Sequence, residues 1–235
     1  MSDQVLRATL DVPFECAFAK SGAMNGIPSY RVPPIPTLQG VVYAALGRPS
    51  IIGSTREDRG NETEAEFRAQ IQEECRFGVR IVDPPERHRD LRSRMKRSKT
   101  GNVSDQGVYE STPTQVESLI KPTYKMYIGG PEHYLSTFEN ALKDPERLLY
   151  LGRSDDLVDI REVSVDPIKR IDEPATVDCV IPEAGDDPEL LPVEPDYLGY
   201  RNVPKPARVE TVSVTGGAVD HYYETPDGER FIYVL

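Results

Sequence analysis

The chain has 235 residues, 29% of them charged and 38% hydrophobic, with a net charge of −11. That length holds one large or two modest domains around a core that needs no cross-links. No run of about 18 apolar residues is present, which excludes a membrane-spanning helix. The first six residues include Asp3 and lack the basic and apolar regions of an export signal, so a cytoplasmic location is expected.

In chain order, residues 5–12 read as a strand in which Ala8, Leu10 and Val12 alternate with Arg7, Thr9 and Asp11. Pro13 ends it. Residues 19–35 read as a long loop containing Gly22, Gly26, Pro28, Pro33 and Pro34. Pro36 and Thr37 open a short apolar helix over 38–46, with Gly47 as its C-cap. A second helix spans 61–75: Thr63 and Glu66 have capping-box spacing, and Phe67, Ile71 and Cys75 share a face. Its acidic outer face reads as solvated. A strand over 77–82 runs into Asp83-Pro84-Pro85, which breaks regular structure. Another strand covers 121–128, and Gly129-Gly130-Pro131 leads into a helix over 132–143 with Leu135, Phe138 and Leu142 as its buried stripe. A strand follows at 157–165.

This order, β, α, an inserted helix and hairpin, then β, α, β, predicts an α+β fold of ferredoxin-like or RNA-recognition type. The expected division is a domain over 1–165, with an insertion at about 53–115, and a segment over 166–235. Within the latter, 166–206 is proline- and acid-rich with little periodicity. Three short strand-like runs, 208–214, 219–223 and 230–235, predict a small C-terminal β appendage. Thr225-Pro226-Asp227-Gly228 is the hairpin turn between the last two.

The strongest chemical signal is a basic window. Residues 87–99 hold Arg87, Arg89, Arg92, Arg94, Lys96, Arg97 and Lys99 against one acid, Asp90. The window is +6, leaving −17 on the remainder. Such segregation points to a local anion-binding arm on an anion-repelling body. The body, with 20 Arg and 8 Lys in the whole chain, also suits a salt-adapted cytoplasm. Arginine presents a planar fork of donors to phosphate oxygens. The spacing at 87, 89, 92, 94 and 96 predicts several guanidinia on one side of an extended hairpin, with Leu91 and Met95 able to wedge beside unstacked bases. A solvated loop or a contact for an acidic protein is the competing reading.

His88 lies inside the window as a candidate general base for RNA cleavage or simply a polar loop residue. His133 and His221 read as ordinary surface or packing residues. Gly129 and Gly130, between a strand and a helix, suit either a phosphate or a tight turn. Asp155, Asp156 and Asp159 read as a solvated turn more than a metal site. Cys16, Cys75 and Cys179 have no disulfide or zinc-ligand spacing and read as reduced thiols. No catalytic, cofactor or metal motif is expected.

Two stretches resemble a known family. Arg31-Val32-Pro33-Pro34-Ile35-Pro36-Thr37 through Gly40, then Tyr43-Ala44-Ala45-Leu46-Gly47, follow an opening strand and Phe14. Leu149-Tyr150-Leu151-Gly152-Arg153-Ser154 follows a helix end bearing Pro145. Together they resemble the Cas-five family of CRISPR-associated RAMP proteins, over roughly 5–50 and 121–165. The resemblance implies a non-catalytic subunit of a type I Cascade surveillance complex, subtype I-B or I-D. Such a subunit holds the 5′ handle of the crRNA in antiviral defence. It implies a backbone subunit and a large subunit as partners, with target DNA met indirectly. The family's thumb maps onto 87–99, and its loop after the first strand maps onto 20–31, where Lys20, Ser21 and Arg31 are expected to meet the handle. One branch of the family cuts precursor RNA, and its active residues have no match here. A metal-independent endoribonuclease acting on repeat RNA is therefore the alternative.

Overall fold

The protein is described by a computed structural model that covers residues 3–20, 26–49, 60–97, 109–182, 185, 187–195 and 206–234. The chain begins with β1 (Gln4–Asp11), β2 (Glu15–Cys16), β3 (Phe18–Ala19) and β4 (Ser29–Tyr30), followed by α1 (Ile35–Ala45) and α2 (Gly60–Glu74). Next come β5 (Arg76–Asp83), β6 (Glu86–Arg97), β7 (Tyr109–Ile120), β8 (Thr123–Gly129), α3 (Glu132–Lys143) and β9 (Asp159–Pro167). The C-terminal segment supplies β10 (Lys169–Ile171), β11 (Ala175–Val177), β12 (Pro188–Pro195), β13 (Pro206–Ser213), β14 (Gly217–Val219), β15 (Tyr222–Glu224) and β16 (Arg230–Phe231). The architecture is mixed α+β, as the sequence predicts.

The central sheet has the order β5-β8-β1-β9, and every neighbouring pair is antiparallel. Strand alternation gives it two different faces. Leu6, Ala8, Leu10, Phe77, Val79, Tyr124, Met126 and Ile128 are all fully buried in the cluster that includes the helix residues Leu38, Val42, Ile71, Leu135 and Phe138. The other face presents Val5 and Tyr127 to Val177, Cys179, Ile181 and Phe231 from the C-terminal segment. Tyr127 stacks on Phe231 with ring centroids 4.4 Å apart. That segment also reaches the first cluster, through Val180, Leu191, Val193, Val212, Val214 and Val234.

Helix α1 ends as its Gly47 predicts. Gly47 takes φ +70°, its N–H donates to Ala44 O, and the Arg48 N–H donates to Tyr43 O. This is a Schellman closure, which needs a left-handed residue at that point. The outer face of α2 departs from expectation at Glu64, which is buried. Its carboxylate receives Arg68 Nε at 2.9 Å, and Arg68 lies over the Tyr43 ring at 4.4 Å. The 19–35 loop is not wholly irregular, since Phe18 pairs with Tyr30 and Ala19 with Ser29. The 166–206 stretch contains β12, whose Leu191 and Val193 are buried. Its ladder with β13 is interrupted between Pro192 and Glu194 and between Glu194 and Pro195. The 219–223 run is divided, because β14 pairs with β11 while β15 pairs with β10 and β16.

Candidate nucleic-acid interface

Strands β6 and β7 form one hairpin paired from Glu86↔Ile120 out to Arg97↔Tyr109. β7 supplies β-branched residues such as Thr112, Thr114 and Val116, while β6 is rich in arginine and is held extended by the pairing. The hairpin is inserted between β5 and β8, which pair directly beneath it through Asp83↔Thr123. β2 anchors the free side of its base through Glu15↔Ile120 and Cys16↔Leu119.

The unbroken ladder corrects one expectation. Side chains alternate along β6, so Arg87 and Arg89 stand on one face and Arg92 on the other. Arg87 and Arg89 both reach Glu117, at 3.6 and 3.2 Å. Arg92 reaches Glu15 at 2.5 Å and Asp90 at 3.6 Å. Arg92 pairs with Thr114 in the ladder, whereas Glu15 pairs with Ile120, so this ion pair spans several rungs of the hairpin. Arg94, Met95, Lys96 and Arg97 continue the ladder opposite Thr112, Ser111, Glu110 and Tyr109. Ser21 and Lys99 lie outside the described residues.

The loop and the hairpin base come together. The Ile27 N–H donates to Gln115 O and the Glu117 N–H donates to Ile27 O, at 2.8 and 3.0 Å. The Ser29 N–H donates to Glu117 Oε1 at 3.4 Å. Lys20 pairs with Glu189 of β12 at 2.5 Å, Arg31 pairs with Asp187, and the Arg31 N–H donates to Glu189 Oε2 at 3.1 Å. The hydrogen bond from Arg31 holds the Asp187 carboxyl below its ordinary pKa, and the nearby charge of Arg87 adds to the effect. Lys20, Arg31, Arg87 and Arg89 thus gather around three acids, Glu117, Asp187 and Glu189. The count of +6 did not include these carboxylates, which arrive from other strands.

Sequence reasoning also missed a brace behind the hairpin. Arg153 is bonded to Asp156 at 2.7 Å and reaches Glu15 at 3.5 Å. Asp156 is buried, not solvated, and accepts the Ala17 N–H at 2.9 Å. Burial raises the Glu15 carboxyl, but the hydrogen bond and charge of Arg92, with the charge of Arg153, outweigh it and lower its pKa. Arg153 lies in the stretch 149–154 that carries the family resemblance, but neither that stretch nor anything near Glu15 marked the brace. His88 is exposed on β6 opposite Ser118. Gly129 and Gly130 are explained by close packing. A Cβ on Gly129 would come within 2.5 Å of Tyr233 Oη, and one on Gly130 within 2.8 Å of Cys75 Sγ. Among the described residues no group of three acid, histidine or cysteine side chains is placed to hold a metal. No helix there is long and apolar enough to cross a membrane.

A family model described as CRISPR-associated protein (Cas_Cas5) matches residues 17–229. The chain belongs to this family. Two solved structures share its fold. One, from a "CRISPR RNA-guided surveillance complex", aligns over 92% of this chain and 90% of its own, at 15% identity and a TM-score of 0.55. The other, a CRISPR protein from Archaeoglobus fulgidus, aligns over 98% of both chains, at 16% identity and a TM-score of 0.52. No curated protein matches the chain.

Proposed function

We propose that this Cas5-family chain is a non-catalytic RNA-binding subunit of a type I CRISPR surveillance complex that holds the 5′ handle of the crRNA. Family membership and the fold shared with a chain of an RNA-guided surveillance complex support the setting. One observation carries the grip itself: an arginine-bearing hairpin rises from the point where the loop bearing Lys20 and Arg31 docks. On this reading the hairpin is a thumb, and a strand of RNA lies between it and the loop. Glu117 and Glu189 are buried, but the guanidinia of Arg87 and Arg89 reach solvent, so their outward donors are open to phosphates.

The element order and the strand order β5-β8-β1-β9 support a ferredoxin-like core of RNA-recognition type with the thumb as an insertion. Residues 1–165 form that core in this proposal, and 166–235 a β subdomain laid on it. Backbone and large subunits of the complex are the proposed protein neighbours, in the cytoplasm.

Charge reversal tests the grip. Replacing Arg92, Arg94 and Arg97 with Glu should abolish retention of crRNA by the assembled complex, with assembly of the protein subunits preserved. For about four neutralised phosphates, log affinity for single-stranded RNA should fall with log salt at a slope near −3. A triple variant that still retains crRNA normally would refute the thumb. Cutting of repeat RNA by the isolated chain in EDTA, lost in His88→Ala, would replace this reading with an endoribonuclease.

A further inference from the structure

We propose that Phe14 and Lys121 form an additional subsite for single-stranded RNA at the foot of the hairpin. The Phe14 ring carries one unpaired base and the Lys121 ammonium meets an adjoining phosphate. The inference rests on the RNA-binding reading above and extends it to residues that the basic window does not contain.

Phe14 is 71% exposed, although Val12 and Cys16 on either side of it are buried. An exposed apolar side chain is unremarkable by itself. Its mounting is more informative. The Val12 N–H donates to Pro122 O at 3.1 Å, the Lys121 N–H donates to Phe14 O at 2.8 Å, and Glu15 pairs with Ile120. The ring therefore projects from backbone fixed on both sides, so little freedom is lost when a flat partner stacks on it.

Lys121 adds a second, independent observation. Its φ is +45°, in the left-handed region, where a glycine is at ease and a residue with a side chain is strained. Strain of this kind persists only where the surrounding structure holds it, here the tight turn from β7 to β8, and it clusters at functional sites. Arg87, Arg89 and Arg92 each hold a carboxylate, whereas no carboxylate of the described residues pairs with the exposed Lys121. The residue after Phe14 is Glu15, which holds Arg92 and Arg153. An aromatic ring on fixed backbone, joined backbone to backbone with a cation that no described carboxylate pairs, matches a ligand that alternates flat apolar faces with phosphates. Single-stranded nucleic acid has that chemistry. One ring is too small an area to anchor a protein neighbour.

The chain has no tryptophan, so Phe14→Trp installs a single reporter. In the full chain, its fluorescence should be quenched by an unstructured 12-nucleotide RNA and unchanged by the same length of abasic strand or by duplex. Phe14→Ala should lower affinity roughly tenfold and leave the salt slope unaltered. Lys121→Gly should match or exceed the wild-type melting temperature, yet bind more weakly with a salt slope shallower by about 0.7. If the RNA binds, weakens with Arg92→Ala, and ignores both Phe14 variants and Lys121→Gly, the subsite is wrong and the hairpin reading stands. If the wild-type chain and the complex bind no single-stranded RNA, both fall together.

Discussion

Two clusters in this molecule are built from the same side chains and behave differently. At the hairpin base, Glu117, itself only 4% exposed, holds Arg87 and Arg89, whose side chains are 44% and 66% exposed. On the sheet face covered by the C-terminal segment, Glu229 holds Arg7, Lys125 and Arg80, and accepts the Tyr127 hydroxyl at 2.9 Å. There Arg7 is only 11% exposed, and it also binds Asp166 and Asp227. The carboxylates of both clusters are buried, and the clusters differ in the solvent access of their cations. A pair whose cation stays in solvent is screened and contributes less than an enclosed one. Enclosed pairs leave an unpaired buried charge when broken, so they fix the docking of the terminal turn onto the sheet. Residue counts alone do not distinguish a ligand site from a clamp.

Breaking the clamp should have the larger effect. Glu229→Ala removes the shared partner of three cations and a tyrosine, and should destabilise the fold by about 3 kcal/mol. By thermal denaturation that is a fall of roughly 10 °C for a chain of this size. RNA affinity should be unchanged, and a parallel loss would show that the clusters are coupled.

Acid should act on the clamp next. Hydrogen bonds from Thr225 and Arg7 lower Asp227 to about 2. Burial raises Glu229, but its bonds from Arg7, Lys125 and Tyr127 outweigh that and lower it. Carboxyls depressed in the folded state contribute stability that is complete above their unfolded pKa values, about 4. That contribution is lost as pH falls through the folded values. The melting temperature should stay level from pH 7 to 5 and decline below about pH 4.5, and the decline should be shallower in Asp227→Asn.

The hairpin base should give the smallest response. Glu117→Gln keeps an acceptor for the Ser29 N–H but releases Arg87 and Arg89 from a negative charge. Affinity for single-stranded RNA should rise roughly two- to fivefold, as measured by titration at fixed salt, because both arginines remain in solvent. A weaker complex would mean that Glu117 orients the two arginines for binding.

The sequence revealed what local spacing encodes. Helix α3 was legible to the residue, since Leu135, Phe138 and Leu142 form one stripe after Pro131. The basic arm was legible because its charges are contiguous. β12 was not, because Pro188, Pro192 and Pro195 obscure an alternation that buries Leu191 and Val193. The acids that answer the arginines were also hidden. Glu15, Glu117 and Glu189 join the site through strand pairing across the chain, and no local pattern marks such partners. Which arginines share a face depended on whether β6 runs without a bulge, a matter of one residue in register.

The closure of β5 on β8 through Asp83↔Thr123 makes the arm above it a cassette. The ladder above that pair is separate from the central sheet, whereas its foot belongs to the body, since Leu119 is buried in the main core and both β2 and Ile27 bond to β7. Insertions and deletions at the outer end of the arm can lengthen, shorten or recharge it and leave that foot in place. A laboratory can therefore graft the outer arm of one relative onto another and keep the buried foot unchanged.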